Sequence, residues 1–192
     1  MTEEKKIRSF IALDIGEDVR ANLDKLQARL KRSQADVKWL RAGAIHCTLR
    51  FLGSIYPDEI ELAHQAMIEA ASGQSPFLVE VRGVGMFPNT RRPRVIWAGL
   101  EGGKELLATL FQTLEKSLFA RGLGETDRPF QPHLTIGRVK SPRHIDALLK
   151  AMEPEQGELY GTFQAEGLTL FKSQLHPTGA IYSVLQEAPF LR

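Results

Sequence analysis

Two stretches decide how this chain is read: Ile45-His46-Cys47-Thr48-Leu49-Arg50-Phe51-Leu52 and Pro132-His133-Leu134-Thr135-Ile136-Gly137-Arg138-Val139. Both have the length and aliphatic content of a strand, and each carries a His-x-Thr tripeptide followed by Leu or Ile, the two copies lying 87 residues apart. Successive side chains of an extended strand point to opposite faces. His46 and Thr48 therefore share one face while Cys47 and Leu49 share the other, and His133 and Thr135 likewise oppose Leu134 and Ile136. Each strand has an apolar face suited to lie under helices and a polar face bearing an imidazole and a hydroxyl.

Outward from these strands, the pattern repeats. Ile7 to Ile15 is an apolar run ended by Gly16, and from Glu17 to Lys31 the residues Val19, Leu23, Leu26 and Leu30 recur at helical spacing behind an acidic first turn. After the strand Ile45 to Leu52, Pro57 opens a helix through Ile60, Ala63, Met67 and Ala70 that Gly73 closes, and Phe77 to Phe87 alternates as a strand. Pro88 to Pro93 forms a loop before the strand Val95 to Leu100, and a helix from about Gly103 to Arg121 presents Leu106, Leu110, Leu114 and Leu118. The strand Pro132 to Val139 follows, then a helix capped by Ser141-Pro142 and presenting Ile145, Leu148, Leu149 and Met152. Two final strands, Thr162 to Phe171 and Ala180 to Gln186, flank a His176-Pro177-Thr178-Gly179 turn.

The order strand, helix, strand, helix, strand thus occurs twice, and at the same offset of 87 residues Phe10-Ile11-Ala12-Leu13 falls on Trp97-Ala98-Gly99-Leu100. A diverged internal duplication is the economical reading. The predicted fold is α+β: two lobes related by a pseudo-twofold axis, each a mainly antiparallel sheet with helices on its outer face. The active-site cleft lies between them, and residues 1–192 form one domain.

Composition bounds the function. The 192 residues carry 25 basic and 23 acidic side chains, a net charge of +2, which suits an ordinary globular protein and excludes one that coats RNA broadly. One cysteine, Cys47, excludes an internal disulfide framework and a multi-cysteine metal site and fits a reducing compartment. No secretory signal pattern or apolar run of spanning length is present, so a cytoplasmic protein with no membrane partner is expected.

If the twofold brings the two polar faces together, two histidines and two threonines line one cleft. With ordinary pKa values near ~6.5, one imidazole can act as a neutral base while the other is a protonated acid. A cyclic phosphodiester needs such a pair, one to deprotonate the attacking water and one to protonate the departing ribose oxygen, while threonine hydroxyls donate to the non-bridging oxygens. This chemistry requires neither metal nor cofactor. His64, His144 and His176 have no partner at catalytic or ligand spacing and read as structural or surface residues, and no Cys, Asp or Glu completes a zinc set around His46 and His133. Cys47 points away from the histidine face and reads as a core residue.

The chain resembles the two-histidine (2H) phosphoesterases, and within them the bacterial and archaeal RNA 2′,3′-cyclic phosphodiesterases, also called 2′-5′ RNA ligases. The resemblance rests on Arg8-Ser9-Phe10-Ile11-Ala12, His46-Cys47-Thr48-Leu49 with Phe51-Leu52-Gly53, Phe87-Pro88, and Arg92 to Gly99. It continues through Pro132-His133-Leu134-Thr135-Ile136-Gly137-Arg138 to Ser173, Gly179 and Tyr182. It implies hydrolysis of a terminal 2′,3′-cyclic phosphate to a 2′-phosphomonoester without a metal, with His46 as donor to the leaving 3′-oxygen and His133 as acceptor from water. The implied partner is RNA with a cyclic phosphate end, such as a tRNA fragment, bound by a monomer.

Two arginines compete for the phosphate. Strict alternation puts Arg50 on the histidine face and Arg138 on the other, whereas the family points to the Arg138 position; a bulge at Gly137 would re-aim Arg138. Thr48, Thr135 and Arg138 are the expected phosphate ligands, with Arg50 as a further candidate. Phe10, Phe51 or Trp97 could stack a terminal base, although core packing is the simpler reading of each. Three other readings stay open. The same site could act in 2′-5′ ligation or on 2′-5′ phosphodiesters, it could hydrolyse an ADP-ribose cyclic phosphate, or the protein could bind RNA ends without catalysis.

Overall fold

A computed structural model describes residues 5–126, 129–176 and 179–191. In chain order the elements are β1 (Ile7–Leu13), α1 (Glu17–Lys31), β2 (Val37–Trp39), β3 (Cys47–Ile55), α2 (Pro57–Ser72), β4 (Phe77–Phe87), β5 (Val95–Leu100) and α3 (Lys104–Ala120). β6 (His133–Val139), α4 (Ile145–Met152), β7 (Leu159–Ala165), β8 (Gly167–Gln174) and β9 (Ile181–Pro189) complete the chain, with single 3-10 turns at Ala42–Ala44 and Glu153–Glu155. None of the helices is long and apolar enough to cross a membrane.

The strands pair antiparallel throughout, in the order β7-β4-β5-β6-β3-β1-β8-β9, with β2 beside β6. The span Thr162 to Phe171, expected as one strand, is two: β7 ends at Ala165 and β8 starts at Gly167. β7 forms one edge of the sheet and β8 lies next to the other edge, yet only Glu166 separates them. A single residue cannot cross a flat sheet of this width. The sheet must curl until its two ends approach, and the Glu166 carbonyl marks the closure by accepting from the Phe190 amide at 2.7 Å.

All four helices cover the same face. Val19, Leu23 and Leu26 of α1, Ala63 and Met67 of α2, Leu107, Leu110 and Leu114 of α3 and Leu148 and Met152 of α4 join one core with Ile11, Leu13, Cys47, Ile96, Ala98, Leu134 and Ile136 of the strands. The periodicities read from the sequence give α1, β4 and β5 their expected bounds, but the stripe of α3 starts at Leu107 and not at Leu106, which is exposed because the helix turns about 100° per residue and Leu107, Leu110, Leu114 and Leu118 share the inner face. α4 differs. Ser141 does not cap it, because the Ser141 hydroxyl donates to Asp36 at 2.8 Å and the helix starts at Ile145 behind His144 in a left-handed conformation (φ 56°). The expected turn at residues 176–179 lies partly outside the described residues, at Pro177 and Thr178; Gly179 N–H donates to the His176 carbonyl at 2.9 Å.

The two halves of the sheet, β7-β4-β5-β6 and β3-β1-β8-β9, meet at β3 and β6. Among the described residues these strands share one pair, Cys47 opposite Leu134, both fully buried against the helices. The joint is narrow, and the His-x-Thr faces lie on its uncovered side.

Candidate active site

The Cys47–Leu134 pair fixes what surrounds it. β3 begins at Cys47, two residues later than the strand expected from Ile45, and among the described residues meets β6 at this one pair, so His46 and Thr135 flank the contact at one end and Thr48 and His133 at the other. The two histidines lie on different strands at opposite ends of the contact. His46, Thr48, His133 and Thr135 are thus brought to one face by one strand contact.

The imidazoles sit in unlike surroundings. His46, 9% exposed, is walled by aromatic rings, with centroids 4.6 Å from Phe171, 5.6 Å from Tyr182 and 6.1 Å from Phe10. Phe10, Ala12, Phe171 and Tyr182 form an apolar cluster of their own, separate from the main core. Burial and then the Arg20 guanidinium push the His46 pKa below its ordinary value, while the Asp14 carboxylate and a hydrogen bond to the Ala44 backbone act against them. Arg20 itself is buried, ion-paired with Asp14 and with Glu17 at 3.1 Å.

His133 is more open. Its Nδ1 lies 2.7 Å from the Gln131 carbonyl, and since a carbonyl only accepts, Nδ1 carries the hydrogen. In the neutral ring Nε2 is then an unprotonated acceptor. Phe87 meets the ring edge-to-face at 5.0 Å. Burial lowers the His133 pKa, the Gln131 carbonyl raises it, and the positive charge of Arg138 lowers it further. A cavity of about 270 Å³ adjoins His133, lined by Phe87, Trp97, Phe130 and Gln131 among others, with the Glu101–Lys104 ion pair (2.8 Å) also on its wall.

Matching bulges send the two arginines to different faces. In β3, Ile11 faces Arg50 and Ala12 faces Thr48, so Leu49 has no partner; in β6, Ile96 faces Gly137 and Trp97 faces Thr135, so Ile136 has none. An unpaired residue reverses alternation beyond it. Arg50, expected by strict alternation on the histidine face, is instead 7% exposed on the helix side, where Nη1 donates to Glu115 of α3 at 2.5 Å and Nη2 to the Leu123 carbonyl at 3.4 Å. It is not available to a phosphate. Arg138 is re-aimed as a bulge there would require: it is exposed, and its charge reaches His133. The residue before Arg138 in the strand is Gly137, where a Cβ would stand 2.8 Å from Val37 Cγ1.

The second bulge has a support that sequence reading missed. Gln27 of α1, 1% exposed, donates through Nε2 to the Ile136 carbonyl and to the Leu40 carbonyl, both at 2.8 Å, and the Leu40 amide donates to the Ile136 carbonyl at 3.0 Å. The carbonyl that leaves the ladder at the bulge is thus doubly satisfied. A signal was present: Arg20 and Gln27 are polar residues spaced seven apart on the buried stripe of α1.

The outer strands do not keep the sequence offset. Phe10 and Trp97 correspond at 87 residues, yet Ala12 faces Thr48 where Trp97 faces Thr135, so β5 is displaced by two residues relative to β1. Trp97 consequently covers the sheet beside Thr135, and its ring lies where a Cβ on Gly85 would sit, 2.1 Å from Cζ2. Cys47 is fully enclosed and its thiol is pushed up to about 12, which leaves it inert between the two site residues. His64 Nε2 is 3.1 Å from the Glu187 carbonyl, away from both strands. Among the described residues no three His, Cys, Asp or Glu side chains gather as a metal site.

The LigT like Phosphoesterase family matches residues 13–97 and again residues 100–182, and the chain belongs to this family. It is 33% identical over 181 residues to a protein of Methanothermobacter thermautotrophicus named RNA 2′,3′-cyclic phosphodiesterase, covering 94% of this chain and 97% of that one. A Methanocaldococcus jannaschii protein of the same name is 32% identical, with 94% and 99% covered. Among solved structures, TT0787 of Thermus thermophilus superimposes with a TM-score of 0.79 at 29% identity, covering 95% of this chain and 97% of that chain.

Proposed function

We propose that this enzyme hydrolyses the 2′,3′-cyclic phosphate at an RNA terminus to a 2′-phosphomonoester, by general acid and base catalysis from two histidines and without a metal or cofactor. The observation that carries the reading is the Cys47–Leu134 joint, which turns His46, Thr48, His133 and Thr135 to one face. The names of the full-length relatives supply the substrate class.

Water attacks phosphorus while the bond to the ribose 3′-oxygen breaks on the opposite side. His133 takes the water proton through Nε2, the nitrogen left free by the Gln131 contact, and His46 gives its proton to the departing 3′-oxygen. Thr48 and Thr135 donate to the non-bridging oxygens and Arg138 supplies the positive charge, as developing negative charge there requires. In the free protein both histidines have pKa values below the ordinary one. The anionic phosphodiester favours both protonated rings, so binding substrate raises His46 toward the acid form that it needs. The near-balanced charge suits a monomer in the cytoplasm that grips one terminal phosphate.

The test is hydrolysis of an RNA ending in a 2′,3′-cyclic phosphate in the presence of EDTA. A 2′-phosphate product is expected; a 3′-phosphate product, or activity abolished by EDTA and restored by a divalent metal, contradicts the reading. A second reading, 2′-5′ ligation with a 5′-hydroxyl replacing water, is favoured by the cavity beside His133, whose volume of about 270 Å³ has room for more than water. Adding a 5′-hydroxyl oligonucleotide and assaying for a 2′-5′ linkage separates the two.

A further inference from the structure

β2 has only three residues, and its two outer ones pin it to β6. Val37 and Trp39 pack against the main core, and Gly137, opposite Trp39, leaves the room they occupy: a Cβ there would stand 2.8 Å from Val37 Cγ1 and 3.1 Å from Trp39 Cε3. The middle residue, Lys38, therefore points the other way, to the face that carries His133 and Thr135. There it stands directly opposite Arg138, and both side chains are exposed. Like charges opposed on one face of a strand pair destabilise the sheet, and no carboxylate offsets this pair. Among the described residues neither side chain has an ion-pair or hydrogen-bond partner. On its other flank Arg138 faces Val95, and Asp36, the acid two residues before Lys38, accepts from the Ser141 hydroxyl at 2.8 Å. Two cations held side by side against their own repulsion, one of them facing the site, have the chemistry of a receptor for more than one anionic group.

We infer that Lys38 binds the phosphodiester that precedes the terminal nucleotide of the RNA, an inference that rests on the proposed function and extends it from a cyclic phosphate to a chain that bears one. Arg138 serves the reacting phosphate. Adjacent strands stand about 5 Å apart, and the flexible four-carbon stem of lysine carries its ammonium further, so the second cation meets the next phosphate along the strand. The contact reads the backbone and no base, so it tolerates every sequence. A free cyclic mononucleotide has no such phosphate. The opposed cations thus favour the end of an RNA over a cyclic nucleotide that offers the same reacting group.

The inference is tested with three substrates: adenosine 2′,3′-cyclic phosphate, an adenosine dinucleotide ending in the same cyclic phosphate, and that dinucleotide with an uncharged methylphosphonate linkage. Lys38→Gln lowers kcat/KM for the natural dinucleotide roughly three- to fivefold, the size of one exposed charge pair, and leaves the other two substrates unchanged; Lys38→Arg restores the loss. For the natural dinucleotide, the fall of log kcat/KM with log salt also becomes shallower by about 0.7 in Lys38→Gln, one phosphate contact on a single strand. A loss of the same size on the mononucleotide or on the uncharged linkage, or no loss on any of the three, overturns the subsite while the proposed hydrolysis stands. A wild-type protein idle on all three substrates overturns the proposed function and the subsite with it.

Discussion

The first and second copies of the His-x-Thr strand begin alike and end unlike. Both bring histidine and threonine to the site face, and both insert an unpaired aliphatic residue, Leu49 or Ile136, immediately afterwards. Beyond the bulge the first copy sends its arginine into the core to meet Glu115, while the second has glycine there and sends its arginine to the site. The difference teaches that the bulge, more than the residue order, decides which arginine is buried under the helices and which is exposed on the histidine face. It also leaves His46 enclosed by aromatic rings and His133 held by a carbonyl beside a cavity. Two related strands thus make a site with a closed side and an open side.

The largest effects test what the copies share. His46→Ala and His133→Ala each lower kcat by about 10²–10⁴-fold, the range of a lost general acid or base, in proteins that keep their wild-type circular dichroism spectra. Each substitution also removes one limb of the pH profile: without His46 the loss at high pH disappears, and without His133 the loss at low pH disappears. If either variant turns over at the wild-type rate, the two copies do not cooperate on one phosphorus.

The arginines separate the copies. Removing a charge-assisted phosphate contact by Arg138→Ala lowers kcat/KM on the order of 10²-fold with little change in melting temperature. Arg50→Ala has the reverse signature. It removes the charged partner of the partly buried Glu115 carboxylate, which keeps the Thr126 amide as a donor, and destabilises the fold by about 1.5–3 kcal/mol, measurable by denaturant titration, while the folded fraction retains its kcat/KM. A catalytic loss at Arg50 with stability intact would mean that the bulge at Leu49 does not aim this side chain as described.

Much of this was legible in the sequence, and the failures have specific causes. The apolar stripes of α1 and α3 and the alternation in β4 set their own bounds, because local periodicity is strong there. The facing of Thr48 against Cys47 and Leu49, and of His133 and Thr135 against Leu134 and Ile136, was legible because a strand alternates reliably up to its first irregularity. Arg50 was misplaced because the bulge after Thr48 carries no glycine or proline to mark it, whereas Gly137 did signal the matching irregularity in β6. The break between β7 and β8 at Glu166 has no turn residue before it; the fact that β7 and β8 join separate halves of the sheet is a property of the curl. The role of Gln27 was hidden for the same reason, since its partner carbonyl is 109 positions away in the chain.

Gln27 provides a finer test. Gln27→Leu removes the side-chain donor to the Ile136 carbonyl and loosens the aim of Arg138, lowering kcat/KM roughly five- to tenfold, about the worth of one net hydrogen bond. As a positioning residue it acts through Arg138, so the Gln27→Leu loss is absent in an Arg138→Ala background. Additive losses in the double variant would show that Gln27 only stabilises the fold.

The smallest effect is in pH dependence. Both histidine pKa values lie below 6.5 in the free protein, His46 through burial and Arg20, and His133 through burial and Arg138. The proposed mechanism needs His46 protonated and His133 neutral. The kcat/KM profile, which follows free enzyme, is therefore a bell centred below pH 6.5; the kcat profile, which follows the anionic complex, is displaced to higher pH. Arg138→Gln relieves the repulsion at His133 and moves the acid limb of kcat/KM upward. A kcat/KM optimum above about pH 7 would contradict the burial of both rings.

The most direct measurement is a crystal structure with a 2′-mononucleotide bound. The account predicts one phosphate within hydrogen-bond reach of both imidazoles, both threonine hydroxyls and Arg138, with Arg50 still paired to Glu115. A phosphate that touches only one histidine, or that draws Arg50 away from Glu115, would contradict the claim that the two unlike strands act together on a single phosphorus.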